Sequence, residues 1–183
     1  MSESKLHSIV LKDFKKHEYL ALDFSDSVTV IRGPNYSGKS TVLEAIFFAL
    51  FGTKAVPGGA EIITRKGSKS KAVVTLSLKM AGNDYTVVRT PSAASLIRTE
   101  DESTVATGHT AVNEEIGRLL GGDLKRTMTL ALSTQGETAS LLKMGASKLN
   151  SIIEDVSGVD YIDKLIERAT KKASNAAAIL DGL

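Results

Sequence analysis

The sequence predicts a mixed α/β lobe built around a phosphate loop, and three observations carry that prediction. A glycine-rich stretch, Gly33-Pro34-Asn35-Tyr36-Ser37-Gly38-Lys39-Ser40, follows a β-branched run and precedes an apolar segment of helical period. Segments of strand-like alternation recur on both sides of it. The 183 residues are 42% hydrophobic and 24% charged, the balance of a chain that packs a core rather than staying disordered.

In chain order, residues 6–11 read as a strand. Residues 19–24 read as a second, with Leu20, Leu22 and Phe24 alternating after a basic turn over residues 13–17. Val28-Thr29-Val30-Ile31 reads as a third, of the kind buried on both faces of a sheet with parallel pairing behind the loop. From Lys39 to Phe51, Val42, Leu43, Ile46, Phe47 and Leu50 share one helical face, and Gly52 supplies the stop. After Pro57-Gly58-Gly59, residues 71–79 and 84–90 form a hairpin joined through Ala81, Gly82 and Asn83. A short strand is expected at residues 94–98. Helices are expected at residues 111–120, ending at Gly121 and Gly122, and at residues 148–156, ending at Gly158. Ile162, Ile166, Ala169, Ala173, Ala176 and Leu180 alternate in steps of four and three, the seam of a coiled coil or of a terminal helix docked on its own domain.

Several function classes are excluded or disfavoured. A formal charge of +2 disfavours a protein that coats nucleic acid by bulk charge. The absence of cysteine removes disulfides, thiolate metal sites and cysteine nucleophiles, and favours a reducing compartment. Lys5, Lys12, Lys15, Lys16 and Glu18 interrupt any signal-peptide core. The apolar run 45–51 is far shorter than the roughly 20 residues of a membrane span, so neither secretion nor a membrane partner is expected.

The loop carries the chemistry. Its pattern, G-x-x-x-x-G-K-[ST], lets backbone N–H groups curl around phosphate oxygens at a helix N-terminus, continuing into Thr41. Lys39 would reach the β and γ phosphates of ATP, and Ser40 would give its hydroxyl to a Mg²⁺ bridging them. Hydrolysis needs a further acidic site to hold the metal's water and polarise the attacking one. Four apolar residues followed by Asp-Glu occur nowhere in the chain. The late Ile179-Leu180-Asp181-Gly182 lacks the glutamate. The chain therefore reads as half of a catalytic domain.

Pro34 and Asn35 in the loop, Ser133-Thr134-Gln135-Gly136-Glu137 and the segment from Leu149 to Ile162 resemble the N-terminal half of the Rad-fifty/SbcC ATPases, SMC-like proteins of DNA break repair. The resemblance spans nearly the whole chain. It implies an ABC-type ATPase head lobe (P-loop NTPase fold) with a β-rich layer over residues 1–158 and the start of a coiled-coil helix over residues 159–183. The acidic and signature motifs would lie in a C-terminal half beyond the coiled coil. It implies that Gln135 completes the Mg²⁺ coordination and senses the γ-phosphate, with Lys39 the catalytic lysine. Lys15 matches a position near the phosphates where the family usually has arginine, and a point-charge lysine is not its equivalent. Thr64, Arg65 and Lys66 match a loop bordering the nucleotide, and Tyr36 departs from the small residue usual there.

The implied partners are the C-terminal half of the same head, a second head closing on ATP, an Mre-type or SbcD-like nuclease subunit, and DNA. The implied compartment is the cytoplasm (nucleoid, or host cytoplasm for a virus), or the nucleus of a eukaryote. A chromosome-structuring SMC or recombination-mediator head would share these motifs. A non-enzymatic nucleotide-binding module stays open on the missing acidic motif, and a kinase is disfavoured by the lack of an Arg-rich lid. Lys66, Lys69 and Lys71, and Lys125 with Arg126, could contact DNA phosphates or form a solvated face. His7, His17 and His109 lack ligand spacing, so no metal beyond Mg²⁺ is expected.

Overall fold

The computed structural model describes residues 4–25, 28–56 and 58–120, together with Thr170. The chain divides into two compact units, Met1–Leu124 and Lys125–Leu183, and the strands and helices described between Lys5 and Leu120 all lie in the first. The expectations on Gln135, on Lys125 and Arg126, on the helix 148–156 and on the seam 162–180 lie outside the described residues.

Strands β1 (Lys5–Phe14) and β2 (His17–Asp23) pair antiparallel through Leu11 with Leu20 and Phe14 with His17. Only Lys15 and Lys16 remain as the connection, a tighter turn than residues 13–17, and Lys15 makes it at a left-handed φ of 50°. The ladder runs this far because the fully buried Phe14 packs its ring 5.5 Å from that of Phe48. Strands β3 (Val73–Met80) and β4 (Asn83–Arg89) close through Ala81 and Gly82, with φ of 49° and 88°. Positive φ at both central residues is the geometry a two-residue hairpin favours. β5 (Ala94–Arg98) comes next, then β6 (Thr104–Thr107), whose Thr-Val-Ala-Thr sequence has too little apolar content to signal a strand. The six strands lie in the order β2-β1-β3-β4-β5-β6.

Every pairing among these strands is antiparallel, so the parallel pairing expected behind the loop is not formed among the described residues. The expected third strand, Val28 to Ile31, is irregular, with Val28 74% and Val30 66% exposed. A strand buried on two faces needs neighbours on both edges, and no described strand pairs with this run.

One sheet face is apolar. Ile9 and Leu11, then Val74, Leu76, Leu78 and Met80, then Tyr85 and Val87 are buried at alternate positions, beneath the helices α1 (Lys39–Phe51) and α2 (His109–Leu120). The other face is only half covered and carries Thr75, Ser77 and Thr86. α1 is buried over all of Ala45 to Phe51, a helix enclosed on every side rather than one with a single apolar face. Leu43, expected on the inner face, is half exposed.

Arg89 ends β4 inside this core, fully buried, and no described carboxylate pairs with it. Its Nε donates to the Ala49 carbonyl at 2.8 Å, and its Nη2 donates to the Leu50 carbonyl at 3.2 Å and to Asn113 Oδ1 at 2.8 Å. Nη1 donates to His109 Nδ1 at 3.2 Å, and Asn113 Nδ2 donates to the Phe51 carbonyl at 3.4 Å. The acceptors are the orphan carbonyls at the C-terminus of α1, where the helix dipole favours a cation. Burial pushes the guanidinium down to about 10, so it remains charged at neutral pH. Gly52 is required beside it, because a Cβ there would stand 2.9 Å from Nη1.

Arg89→Ala is expected to lower stability by on the order of 3 kcal/mol, since buried acceptors lose their donor. Arg89→Lys should restore only part, because an ammonium cannot reproduce the planar fork. The urea midpoints of the three proteins check both statements.

Candidate functional site

The loop enters α1 through Gly38, whose φ of 93° is left-handed and whose position as N-cap brings no side-chain cap. No acidic residue lies in the first turn. The Thr41 N–H donates to the Gly38 carbonyl at 3.0 Å, and no serine or aspartate side chain caps the Lys39 and Ser40 N–H groups before it, which suits an external anion. Gly33 allows the chain to curl, since a Cβ there would meet Ser37 Oγ at 2.9 Å. Lys39 Nζ donates to the carbonyls of Gly33 at 2.9 Å and Pro34 at 2.7 Å, folding back over the loop it will serve. Asn35, Ser37 and Ser40 are exposed along it, while Thr41 is buried in the first turn.

The tip of the β1–β2 hairpin brackets this loop. His17 Nε2 donates to the Gly38 carbonyl at 3.2 Å, and Lys16 Nζ donates to the Tyr36 carbonyl at 2.6 Å. The same ammonium stands 5.6 Å from the centre of the Tyr36 ring. Lys15 turns elsewhere: its Nζ pairs with Glu44 Oε2 at 2.7 Å, tying the hairpin to the middle of α1. Behind the tip, Lys15 N–H donates to the Ile63 carbonyl at 2.8 Å and Arg65 N–H to the Asp13 carbonyl at 2.7 Å. Arg65 Nε also pairs with Asp13 at 2.9 Å and Nη2 with Glu18 at 3.4 Å. Thr64 bridges to Phe14 and accepts from the Ala72 N–H at 3.2 Å. Lys66, Lys69 and Lys71 are exposed, and Lys71 Nζ donates to Ser92 Oγ.

Sequence reasoning missed His17 and Lys16 as neighbours of the loop and Glu44 as the partner of Lys15. The signal was the density of basic residues in one turn at 15–17, but only the β1–β2 register says which of them reaches the loop. Tyr36 is a second surprise. It has a φ of 64° and is 89% exposed, a bulky residue in a region that costs L-residues roughly 1–2 kcal/mol.

The arrangement fits a nucleoside triphosphate: a glycine turn, a helix N-terminus without a side-chain cap, a lysine poised over the loop and a hydroxyl beside it. Among the described residues no group of three or more histidine, aspartate or glutamate side chains could hold a metal on its own. Mg²⁺ would accordingly depend on Ser40 together with the phosphates, as this ion commonly does.

A family model described as an AAA domain matches residues 8–181. The chain belongs to that family. This AAA domain is 32% identical over 167 residues to the DNA double-strand break repair Rad50 ATPase of Methanocaldococcus jannaschii, covering 89% of the chain and 16% of that protein. It is 29% identical over 172 residues to the Rad50 ATPase of Nanoarchaeum equitans, covering 87% and 21%. The resemblance to the Rad-fifty/SbcC ATPases is thereby borne out, and the chain spans 16–21% of the length of these relatives. A solved structure from work on ATP-driven dimerization and DNA-stimulated activation of SMC ATPases superposes with a TM-score of 0.58 at 24% identity, over 82% of this chain and 98% of that one. The fold of this AAA domain is therefore the one seen in that SMC ATPase structure, a P-loop NTPase fold, as expected for the head lobe. Among the described residues no helix is long and apolar enough to cross a membrane.

A methyl group at Gly38 would lie 2.5 Å from His17 Nε2 at a φ of 93°. Gly38→Ala is expected to destabilise the AAA domain by about 2 kcal/mol. Adding His17→Ala should relieve the clash but not the backbone strain, a partial recovery readable by thermal denaturation.

Proposed function

We propose that this chain is the ATP-binding N-terminal lobe of an SMC-like ATPase that acts in DNA double-strand break repair and recombination. The observation that carries the reading is the phosphate loop itself, with Lys39 folded over Gly33 and Pro34 at an uncapped helix N-terminus, in a chain similar to Rad50 ATPases. Lys39 moves from the loop carbonyls to the β and γ phosphates. Residues 33–41 hold the polyphosphate, and Ser40 with Gln135 holds the Mg²⁺. Thr64, Arg65 and Lys66 border the nucleotide, and Lys15 supports the site from its pairing with Glu44.

Hydrolysis draws its acidic residues from the C-terminal half of the head, since the sequence contains no apolar run ending in Asp-Glu. The exposed Val28 to Val30 supports the same idea, because a β-branched run that no described strand pairs with suits completion by further strands. In the full protein two heads close on ATP. Helices beyond residue 158 lead into a coiled coil, and closure is read out by DNA and by a nuclease subunit.

The test measures MgATP binding and turnover by the chain alone and after addition of the C-terminal half of its head. Binding by the chain, turnover only on complementation, and loss of both in Lys39→Ala are expected. Turnover by the chain alone would overturn the shared-site reading. Undiminished binding by Lys39→Ala would overturn the nucleotide site.

A further inference from the structure

Tyr36 holds a conformation that its own surroundings do not repay. At φ 64° the backbone is in the left-handed region, and at 89% exposure the ring gains almost nothing from burial. Two contacts oppose this strain, and one side chain makes both. Lys16 Nζ donates to the Tyr36 carbonyl at 2.6 Å and stands 5.6 Å from the ring centre, within cation–π range. Lys16 is presented from a fixed platform, because its neighbour Lys15 is bound through its N–H to Ile63 and through its side chain to Glu44. The turn is pinned again by Arg65 on Asp13.

We propose that Lys16 is a positioning residue for the phosphate loop: it fixes the left-handed Tyr36 peptide, and with it the direction of the loop amides after that residue. The next amide, Ser37 N–H, donates to the Pro34 carbonyl at 3.3 Å, so a rotation at Tyr36 breaks the turn that aims the loop at phosphate. Lys16 thus acts through the loop and not as a charge on the nucleotide. His17 secures the next stretch through the Gly38 carbonyl, so the two tip residues hold successive segments. The inference rests on the reading of this loop as a nucleotide site.

The test is a double-mutant cycle on the 183-residue chain, reading MgATP affinity by calorimetry. Glycine adopts left-handed φ without cost, so Tyr36→Gly removes the strain and the ring together. Lys16→Ala is expected to weaken MgATP binding about tenfold in the Tyr36 background, equivalent to about 1.4 kcal/mol, and less than about twofold in the Tyr36→Gly background. Lys16→Arg should recover most of the loss, and each Lys16 substitution should leave the thermal midpoint close to that of its own Tyr36 or Tyr36→Gly background, because Lys16 is exposed. An equal loss in both backgrounds would make Lys16 a direct phosphate contact and overturn the proposal, as would no loss in either. If the wild-type chain binds no MgATP, the nucleotide-site reading fails and this proposal fails with it. Wild-type binding with an unaltered Lys16→Ala affinity defeats this proposal alone.

Discussion

A buried guanidinium with no described counter-ion governs this lobe. Arg89 reaches from the end of β4 to the last carbonyls of α1 and to Asn113 on α2. Partial charges of peptide dipoles replace a carboxylate here. They solvate the cation without burying a second full charge, whose desolvation cost commonly rivals the attraction gained. The consequence is geometric. α1 is fastened at its C-terminus to the sheet and to α2 at once, and Gly52 keeps clear the space the fork occupies.

The phosphate loop stands at the opposite end of the same helix, held there by the β1–β2 tip. Lys16, His17 and Lys15 contact Tyr36, Gly38 and Glu44 in turn, while Asp13, Ile63 and Arg65 lock the tip from behind. A helix fixed at both ends presents its N-terminal amides to a phosphate at little further ordering cost, which is the value of preorganisation in binding. The strained Tyr36 is exposed, and it is the Lys16 ammonium at this tip that holds its carbonyl and faces its ring.

Legibility in the sequence followed the range of the interaction. The loop, α1 with its stop at Gly52 and the β3–β4 hairpin at Ala81 and Gly82 were readable because their signals are local: spacing, period and turn chemistry. β6 was not readable, because Thr-Val-Ala-Thr becomes a strand only through its pairing with β5. The run at Val28 to Ile31 failed differently. Its propensity for strand is real, but pairing is a property of two segments, and no described segment meets it.

The sequence alone determined the chemistry of the site, since a glycine-lysine-serine turn between strand-forming and helix-forming residues has few other uses, and composition excluded cysteine chemistry outright. Tertiary structure decided the supports. Which of Lys15, Lys16 and His17 touches the loop depends on a two-residue connection and its register, and a one-place slip would exchange their directions. That Arg89 points into the core depends on the β4 alternation meeting the end of a helix about forty residues earlier in the chain. Local patterns write themselves into adjacent residues, whereas the partners of a buried charge or a strained peptide are chosen only when distant segments pack.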